Sequence, residues 1–378
     1  MPPRPPQALI ATSAVTRSAV TISLKEVAIA EVCACLNQVW VKKTAIRDRA
    51  SRPVHHQASY HCARFPWIST RLKQSILAWF DSARYQPAPA SAGSGGIDWV
   101  RILPFIGLHL ACLLVFWVGV SPVAVLAFLV SYLIRMFAIT AFYHRYFSHR
   151  SFRTGRVTQF VFALIGAAST QRGPLWWAAH HRQHHRCADQ EEDPHAPRHG
   201  FLWSHMGWFL SREHFSTDQD RIPDLVQYPE LRLLDRFALL VPVAYAAAWF
   251  GLGAVLAAVA PGLETSGAQL LVWGYFLSTV ALIHATLTIN SLAHVWGKRR
   301  YATRDDSRNN FWLALLTLGE GWHNNHHHYP GSARQGFFWW EIDLSYYILK
   351  AMSWVGLVWD LKSVPEPMLR ARLIKAES

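Results

Sequence analysis

Residues 123–149 read VAVLAFLVSYLIRMFAITAFYHRYFSH, an apolar run that ends in His144 and His149. Its first 21 residues, 123–143, carry one formal charge, Arg135, and about 20 predominantly apolar residues are what a helix needs to cross a bilayer's hydrocarbon core. A membrane-spanning helix that delivers histidines at its end is the unit from which the rest of the chain is read. Arg135 is expected to snorkel to the membrane interface, the alternative being a buried polar contact.

Three more runs have the same character: residues 102–120, which are 19 residues without a formal charge, then 237–260 and 270–289. Residues 157–168 are apolar over only 12 positions, which suits a buried or interfacial helix better than a span. Four spans in two hairpins put both termini on one side. Arg145, Arg150, Arg153 and Arg156 follow the second run, and Lys298, Arg299, Arg300 and Arg304 follow the fourth. Positive flanks mark that side as cytoplasmic.

His181, His184 and His185, and again His323, His326 and His327, repeat the spacing HxxHH. A helix turns 100° per residue, so positions i, i+3 and i+4 fall within roughly 100° of arc and each box can aim three imidazoles one way. His144 and His149, five apart, sit about 140° apart on an ideal helix and need a helix end or a loosened turn to converge. His294 stands alone, but it shares a helix face with Asn290 at the end of the fourth run, which makes it a candidate ninth ligand. The topology puts all of these histidines on one side of the membrane. Nine nitrogens exceed the needs of one zinc site, structural or catalytic, and point to two metal ions with partly open coordination. Imidazole suits Zn, Cu, Fe and Ni alike, so the spacing names no metal. Asp189, Glu191, Glu192, Asp193 and Glu320 are expected to orient imidazole N–H groups or to be solvated loop charge. His109 and His284, inside apolar runs, read as packing or hydrogen-bonded residues.

Over 378 residues the chain is 51% apolar and 13% aromatic, with net charge +13. Before Asp98 it carries 12 Lys/Arg against 4 Asp/Glu. In a membrane protein such an excess faces the cytoplasm and anionic headgroups; no nucleic-acid module is recognisable, and no nucleic acid is expected as a partner. Five scattered cysteines, Cys33, Cys35, Cys62, Cys112 and Cys187, fit a reducing compartment rather than a disulfide framework. The expected organisation is a basic, disordered extension and Pro/Gly/Ser linker over 1–96, a membrane domain over 97–365 and a tail over 366–378. The extension reads either as a transit-like leader or as an over-extended reading frame whose functional start falls near 67–79.

Together, His144-Arg-Tyr-Phe-Ser-His149-Arg150, His181-Arg-Gln-His184-His185, Asn290-Ser-Leu-Ala-His294 and Gly319-Glu-Gly-Trp-His323-Asn-Asn-His326-His327 resemble the membrane fatty-acyl desaturases of the stearoyl-CoA (delta-9) type, bacterial members above all. The likeness runs from about Asp98 to Pro365. It implies an all-α integral membrane protein, four transmembrane helices beneath a cytosolic helical cap that holds a histidine-rich dimetal site. It implies that His144, His149, His181, His184, His185, His294, His323, His326 and His327 ligate two irons, with Asn290 holding a metal-bound water. The reaction implied is O2-dependent formation of a cis double bond, at delta-9 in the family's commonest case, in a saturated long-chain acyl thioester held in an apolar tunnel.

Trp176, Trp177 and Trp208 are candidates for the tunnel wall, against the reading of ordinary interfacial tryptophans. Animal acyl-CoA desaturases have Arg-Asp before the second box and a basic pair after Gly-Trp, where this chain has Ala179-His180 and Arg212-Glu213. Arg212 is kept as a substrate-contact candidate. Acyl-CoA is the first expectation for the substrate, with acyl carrier protein or membrane-lipid acyl chains open. No cytochrome b5 signature or iron–sulfur cysteine spacing occurs, so electrons are expected from an external ferredoxin or cytochrome b5. Arg145, Arg150, Lys298 and Arg299 are candidates for its docking surface, with lipid-headgroup contact the competing reading. The expected location is a bacterial inner membrane, or the endoplasmic reticulum in a eukaryote. The rival readings are a related diiron hydroxylase or alkane monooxygenase, and a non-catalytic metal transporter, which would want its ligands at the bilayer midplane.

Overall fold

The computed structural model describes residues 76–84 and 96–374; most of the expected extension and the last four residues of the tail lie outside the described residues. Three helices are long and apolar enough to cross a membrane: Pro122–Ser148 with 27 residues, Leu240–Val259 with 20 and Gly267–Val295 with 29. At about 1.5 Å per residue the first and third reach about 40 Å, beyond the roughly 30 Å hydrocarbon core. Their projecting ends carry His144 and His294. Both begin with a serine cap: Ser121 Oγ accepts from Ala124 N–H with Pro122 in the first turn, and Ser266 Oγ accepts from Gln269 N–H.

The run expected as a fourth span forms a helix Trp99–Ala111 that contains Pro104, a 3-10 turn Cys112–Leu114 and a last turn Val115–Val118. Its apolar part, Ile102–Val118, is 17 residues long, below the length of the other three. Gly119, at φ +69°, then reverses the chain. Gln269 joins the two hairpin tips at the end remote from the histidines: its Nε2 donates to Val118 O at 3.0 Å and its Oε1 accepts from Ser121 Oγ at 2.8 Å. Trp273 Nε1 donates to Gly119 O at 2.9 Å in the same place.

Arg135 does not snorkel. It is fully buried, donating from Nε to Ser131 O, from Nη1 to Ala168 O and Thr279 Oγ1, and from Nη2 to Ser278 Oγ, with the Tyr245 ring 5.0 Å from its guanidinium carbon. A guanidinium has five donors in a fixed fork, and here the fork ties three long helices and the end of the Arg156–Ala167 helix into one unit. Hydropathy could not reveal this, because the partners are neutral hydroxyls and carbonyls scattered along the sequence.

The rest of the chain forms a helical cap whose principal elements are Arg156–Ala167, Pro174–Cys187, Pro229–Arg236, Phe311–Leu316, His323–His328 and Leu344–Trp354. A two-residue antiparallel pair closes it, Arg153 opposite Trp359 and Thr154 opposite Val358. Phe142, Phe147, Phe152, Leu175, Leu231 and Leu349 fill its core, with Phe142 stacked on Phe162 at 4.0 Å. The ordered cap extends past both expected boundaries. Residues 76–80 are helical, Ala78 and Asp81 are buried, and Arg236 binds Asp81 through two bonds of 2.8 and 2.9 Å. In the expected tail, Glu366–Arg370 is helical, and Arg372 O and Ile374 N bond to Ala302 N and Arg300 O. Composition does not see either segment, because each is held by a few partners distant in sequence.

Candidate metal centre

The helix that begins at Pro122 is α-helical to Phe137 and π-helical over Ala138–Ser148. Hydrogen bonds from i to i+5 widen that last stretch, which is the loosened turn the five-residue spacing requires: His144 and the following His149 bring their rings to 4.9 Å. The end of this helix is held by Arg182, between the histidines of the second box. Its Nη2 donates to Phe147 O at 2.7 Å and its Nε to Ser148 O at 3.1 Å, a cation placed on the free carbonyls of a helix C-terminus. The Pro174–Cys187 helix, with Pro174 in its first turn, brings His181, His184 and His185 in its last turns.

All nine histidines converge, in two groups. His144, His149, His181, His185 and His326 form one, and His184, His294, His323 and His327 the other, the ligand nitrogens within each lying within 4.8 Å of one another. Each HxxHH box is therefore divided: its i and i+4 members join one group and its i+3 member the other. The two boxes exchange their middle histidines, so two helix turns build both positions at once. Facing Nε2 atoms lie 3.0 Å apart for His144 and His326, 2.8 Å for His149 and His181, 2.9 Å for His185 and His326, and 3.1 Å for His294 and His323. Within the second group His184 and His327 approach to 3.3 Å, and the two groups meet where the His185 and His327 rings lie with centroids 4.5 Å apart.

Carboxylates hold the outer nitrogens. His184 Nδ1 donates to Asp193 at 2.9 Å, His294 Nδ1 to Asp189 at 3.0 Å and His327 Nδ1 to Asp305 at 2.9 Å, while His144 Nδ1 pairs with Glu320. Glu191 and Glu192 are exposed in the loop and take no such part. Burial, reinforced by the neighbouring imidazoles, holds His149, His181, His185, His323 and His326 well below the ordinary histidine range. Burial also opposes charge on His184, but Asp193 outweighs it and keeps that pKa raised. Asp193 and Asp305, which burial alone would push up, are held below the usual carboxylate range chiefly by His184 and His327.

A neutral ring whose Nδ1–H is committed outward offers only a lone pair at Nε2. Converging lone pairs repel unless a cation lies among them, and imidazole nitrogens bound to one ion at about 2.0–2.1 Å lie about 3 Å apart. The donor set therefore fits a first-row transition ion in each group, with carboxylates behind the ligands.

An apolar cavity leads to this centre. Trp176, Trp177 and Trp208 line it, and Trp176 stacks on Trp208 with centroids 5.5 Å apart. Its deep end reaches His181 and Asn290; there it meets a smaller cavity bounded by Met136, Ile139, Ile289, His184 and His323. Asn290 thus lines a cavity that His184 and His323 of the four-histidine group also line, with His144 and His181 of the other. Arg212 is exposed and does not line the cavity, its backbone N–H bonded to Gly96 O, while the neighbouring Ser211 does line it. Arg172 and Arg236, which the sequence did not single out, line the mouth. Arg172 donates to Phe215 O at 2.7 Å and lies over the Phe215 ring.

Arg145, expected at a docking surface, is instead buried between Glu320 and Asp343, with bonds of 3.2 and 2.9 Å, and donates to Ala333 O. A charge beside a histidine box is as useful for clamping the box to the cap as for meeting a partner. Arg150 and Lys298 are exposed and Arg299 is half-buried against Asp306. His109 and His284 are hydrogen-bonded as expected: their Nε2 atoms are 2.9 Å apart, and His284 Nδ1 reaches His205 Nε2 at 2.9 Å.

A family profile described as fatty acid desaturase matches residues 120–354. Among curated proteins, the chain is 36% identical over 284 residues to an sn-2 palmitoyl-lipid 9-desaturase of Nostoc sp. (strain 36), covering 74% of this chain and 95% of that protein. It is 35% identical over 273 residues to an sn-1 stearoyl-lipid 9-desaturase of Anabaena variabilis, covering 70% and 94%. It is 33% identical over 297 residues to an acyl-CoA 5-desaturase of Anemone leveillei, covering 73% and 86%.

Proposed function

The chain belongs to the fatty acid desaturase family, and from that premise we propose that it introduces a cis double bond, at delta-9, into saturated acyl chains carried on membrane glycerolipids. It is a desaturase enzyme, an oxidoreductase. The observation that carries the reading is the pair of histidine groups, built from divided boxes, at the deep end of an apolar cavity. Two irons bound by the nine histidines, with Asn290 holding a water, would supply the O2-dependent oxidation that removes hydrogens from two adjacent unactivated methylenes.

The chain's own residues do the rest. Asp193, Asp189, Asp305 and Glu320 fix the tautomer and direction of their imidazoles. Trp177 and His181 border both cavities, where the bond to be oxidised is held, and apolar walls exclude water from it. Met136, Ile139 and Ile289, in the smaller cavity, limit how far the chain's methyl end passes the irons. Electrons come from an external donor, a ferredoxin or cytochrome b5, docking near Arg150, Lys298 and Arg299.

A lipid-borne chain is favoured over acyl-CoA on two grounds. The cavity is walled by Ile102, Phe105 and Leu108 of the first helix and by Ile283 and Leu287 of a long one, so it runs beside the membrane segments. The positions of the Arg-Asp pair expected for coenzyme A hold Ala179 and His180, both buried, with His180 donating to Trp176 O. Helical residues 99–118 span about 30 Å, enough to serve as the fourth crossing, which leaves the histidines on the cytoplasmic side of a bacterial inner membrane.

Expression in a host lacking unsaturated fatty acids, with gas chromatography–mass spectrometry of its lipids, tests the reaction. A delta-9 cis alkene is expected, and its loss in His184→Ala and His326→Ala. A hydroxylated product, or none from protein present in the membrane, overturns it. Pulse-labelling then tests the carrier: label must enter glycerolipids as saturated chains before the double bond forms, whereas desaturation in the acyl-CoA pool would contradict the lipid assignment.

A further inference from the structure

A second cavity, of about 420 Å³, lies in the cap and shares no lining residue with the one that leads to the histidines. Phe152, Tyr228, Trp359 and the Tyr146 ring wall it, and Arg150, Arg153, Lys362 and Gln159 reach it. Gln159 is 2% exposed; its Oε1 accepts from Tyr146 Oη at 2.9 Å, and its Nε2 is buried without a hydrogen-bond partner. A buried donor left unmatched beside a cavity calls for an acceptor from outside the chain.

The charges have the matching sign. Among the lining side chains three cations, Arg150, Arg153 and Lys362, face one carboxylate, Asp360, which pairs with Arg153 at 3.3 Å; behind the wall Arg150 and Arg182 share Asp224. No carboxylate pairs with Lys362 among the described residues.

We propose that this cavity binds a phosphate group, from a lipid headgroup or from solution. Gln159 Nε2 and the Lys362 ammonium are donors that the fold leaves for its oxygens, with the arginines adding positive potential. The setting suits a headgroup. Gln159 lies on the Arg156–Ala167 helix, which exposes Val157, Phe160, Val161 and Leu164, an apolar face fit to rest on the membrane surface. Neither the histidine centre nor the acyl cavity is built from these residues.

The test uses the full chain purified in detergent. Its thermal midpoint is followed as sodium phosphate is added at constant ionic strength, and separately as phosphatidylglycerol or phosphatidylcholine is added to the micelles. A saturable rise is expected, with the apparent dissociation constant weakened about ten-fold or more in Gln159→Glu and in Lys362→Glu, and unchanged in Lys298→Glu. Lys362 is exposed, so its variant tests the site even where Gln159→Glu does not fold. A response to phosphatidylglycerol that far exceeds that to inorganic phosphate assigns the group to a headgroup; equal responses assign it to a free anion. No rise with any probe, or a rise that Lys362→Glu leaves unchanged, overturns the site.

Discussion

Replacing Asp305 with alanine should cost the protein one metal ion and spare the other. Asp305 is 8% exposed; its Oδ2 accepts from His327 Nδ1–H at 2.9 Å and its Oδ1 from Ser307 N–H at 3.0 Å. A hydrogen bond to a charged partner is worth about 1.5–3 kcal/mol, and loss of a carboxylate behind a metal-bound histidine typically costs 10–100-fold in affinity. That range equals about 1.4–2.7 kcal/mol, so the two estimates agree. His327 belongs to the group with His184, His294 and His323, whereas the five-histidine group has Glu320 behind His144. Competition of the iron-loaded protein against a graded chelator, with metal counted per chain, should show the weaker-held ion leaving Asp305→Ala at 10–100-fold lower chelator strength, the other ion unmoved. Asp305→Asn keeps one of the two acceptor oxygens but not the charge, and should fall between. Equal weakening of both ions, or none, would refute the reasoning that the carboxylates serve separate groups.

Arg135→Ala leaves Thr279 Oγ1 and Ala168 O without their donor; at about 1–3 kcal/mol for each unsatisfied group the loss is about 2–6 kcal/mol, read as a lower thermal midpoint in detergent, and an unchanged midpoint contradicts it. Gly166→Ala sets a Cβ into the Tyr143 ring beside the π-helical turn; overpacking of about 1–3 kcal/mol and reduced product yield are expected, with a wild-type yield the opposing result. Burial alone would raise the Asp224 pKa, but Arg182 and Arg150 outweigh it and hold it at about 2. Because the folded value lies below the unfolded one of about 3.9, the stabilisation is fully present above pH 4 or so and is lost as pH falls toward 2. Asp224→Asn should flatten that acid limb in a plot of thermal midpoint against pH; a limb as steep as wild type's would assign it to other carboxylates.

The long helices and the nine histidines were legible because hydropathy and helical spacing are local properties. Even the π-helical turn at His144 was foreshadowed by a five-residue gap that an α-helix cannot close. The division of each HxxHH box was not, since spacing shows that three rings share a face but not which metal each reaches; that depends on how the 174–187 and 323–328 helices cross. Asp189, Asp193 and Glu320 could be nominated from their nearness to boxes, whereas Asp305, 22 residues before His327, lies in a stretch, Arg304-Asp-Asp-Ser-Arg-Asn309, that carries the family resemblance but is too far from any box for spacing to assign it a role. Arg135 and Arg145 were misjudged for one reason. A charge next to an apolar run or a basic cluster reads as interfacial, and only the fold reveals the hydroxyls, carbonyls and carboxylates gathered around it.

The central claim is that two metal positions are built from one set of nine histidines. Elemental analysis of the purified full chain, reconstituted with iron under anaerobic conditions and freed of loosely held metal, tests it most directly. Two irons per chain are predicted, with His294→Ala and His323→Ala each lowering the count toward one while the five-histidine group keeps its ion. A wild-type count of one, or a count that these substitutions leave at two, would contradict it.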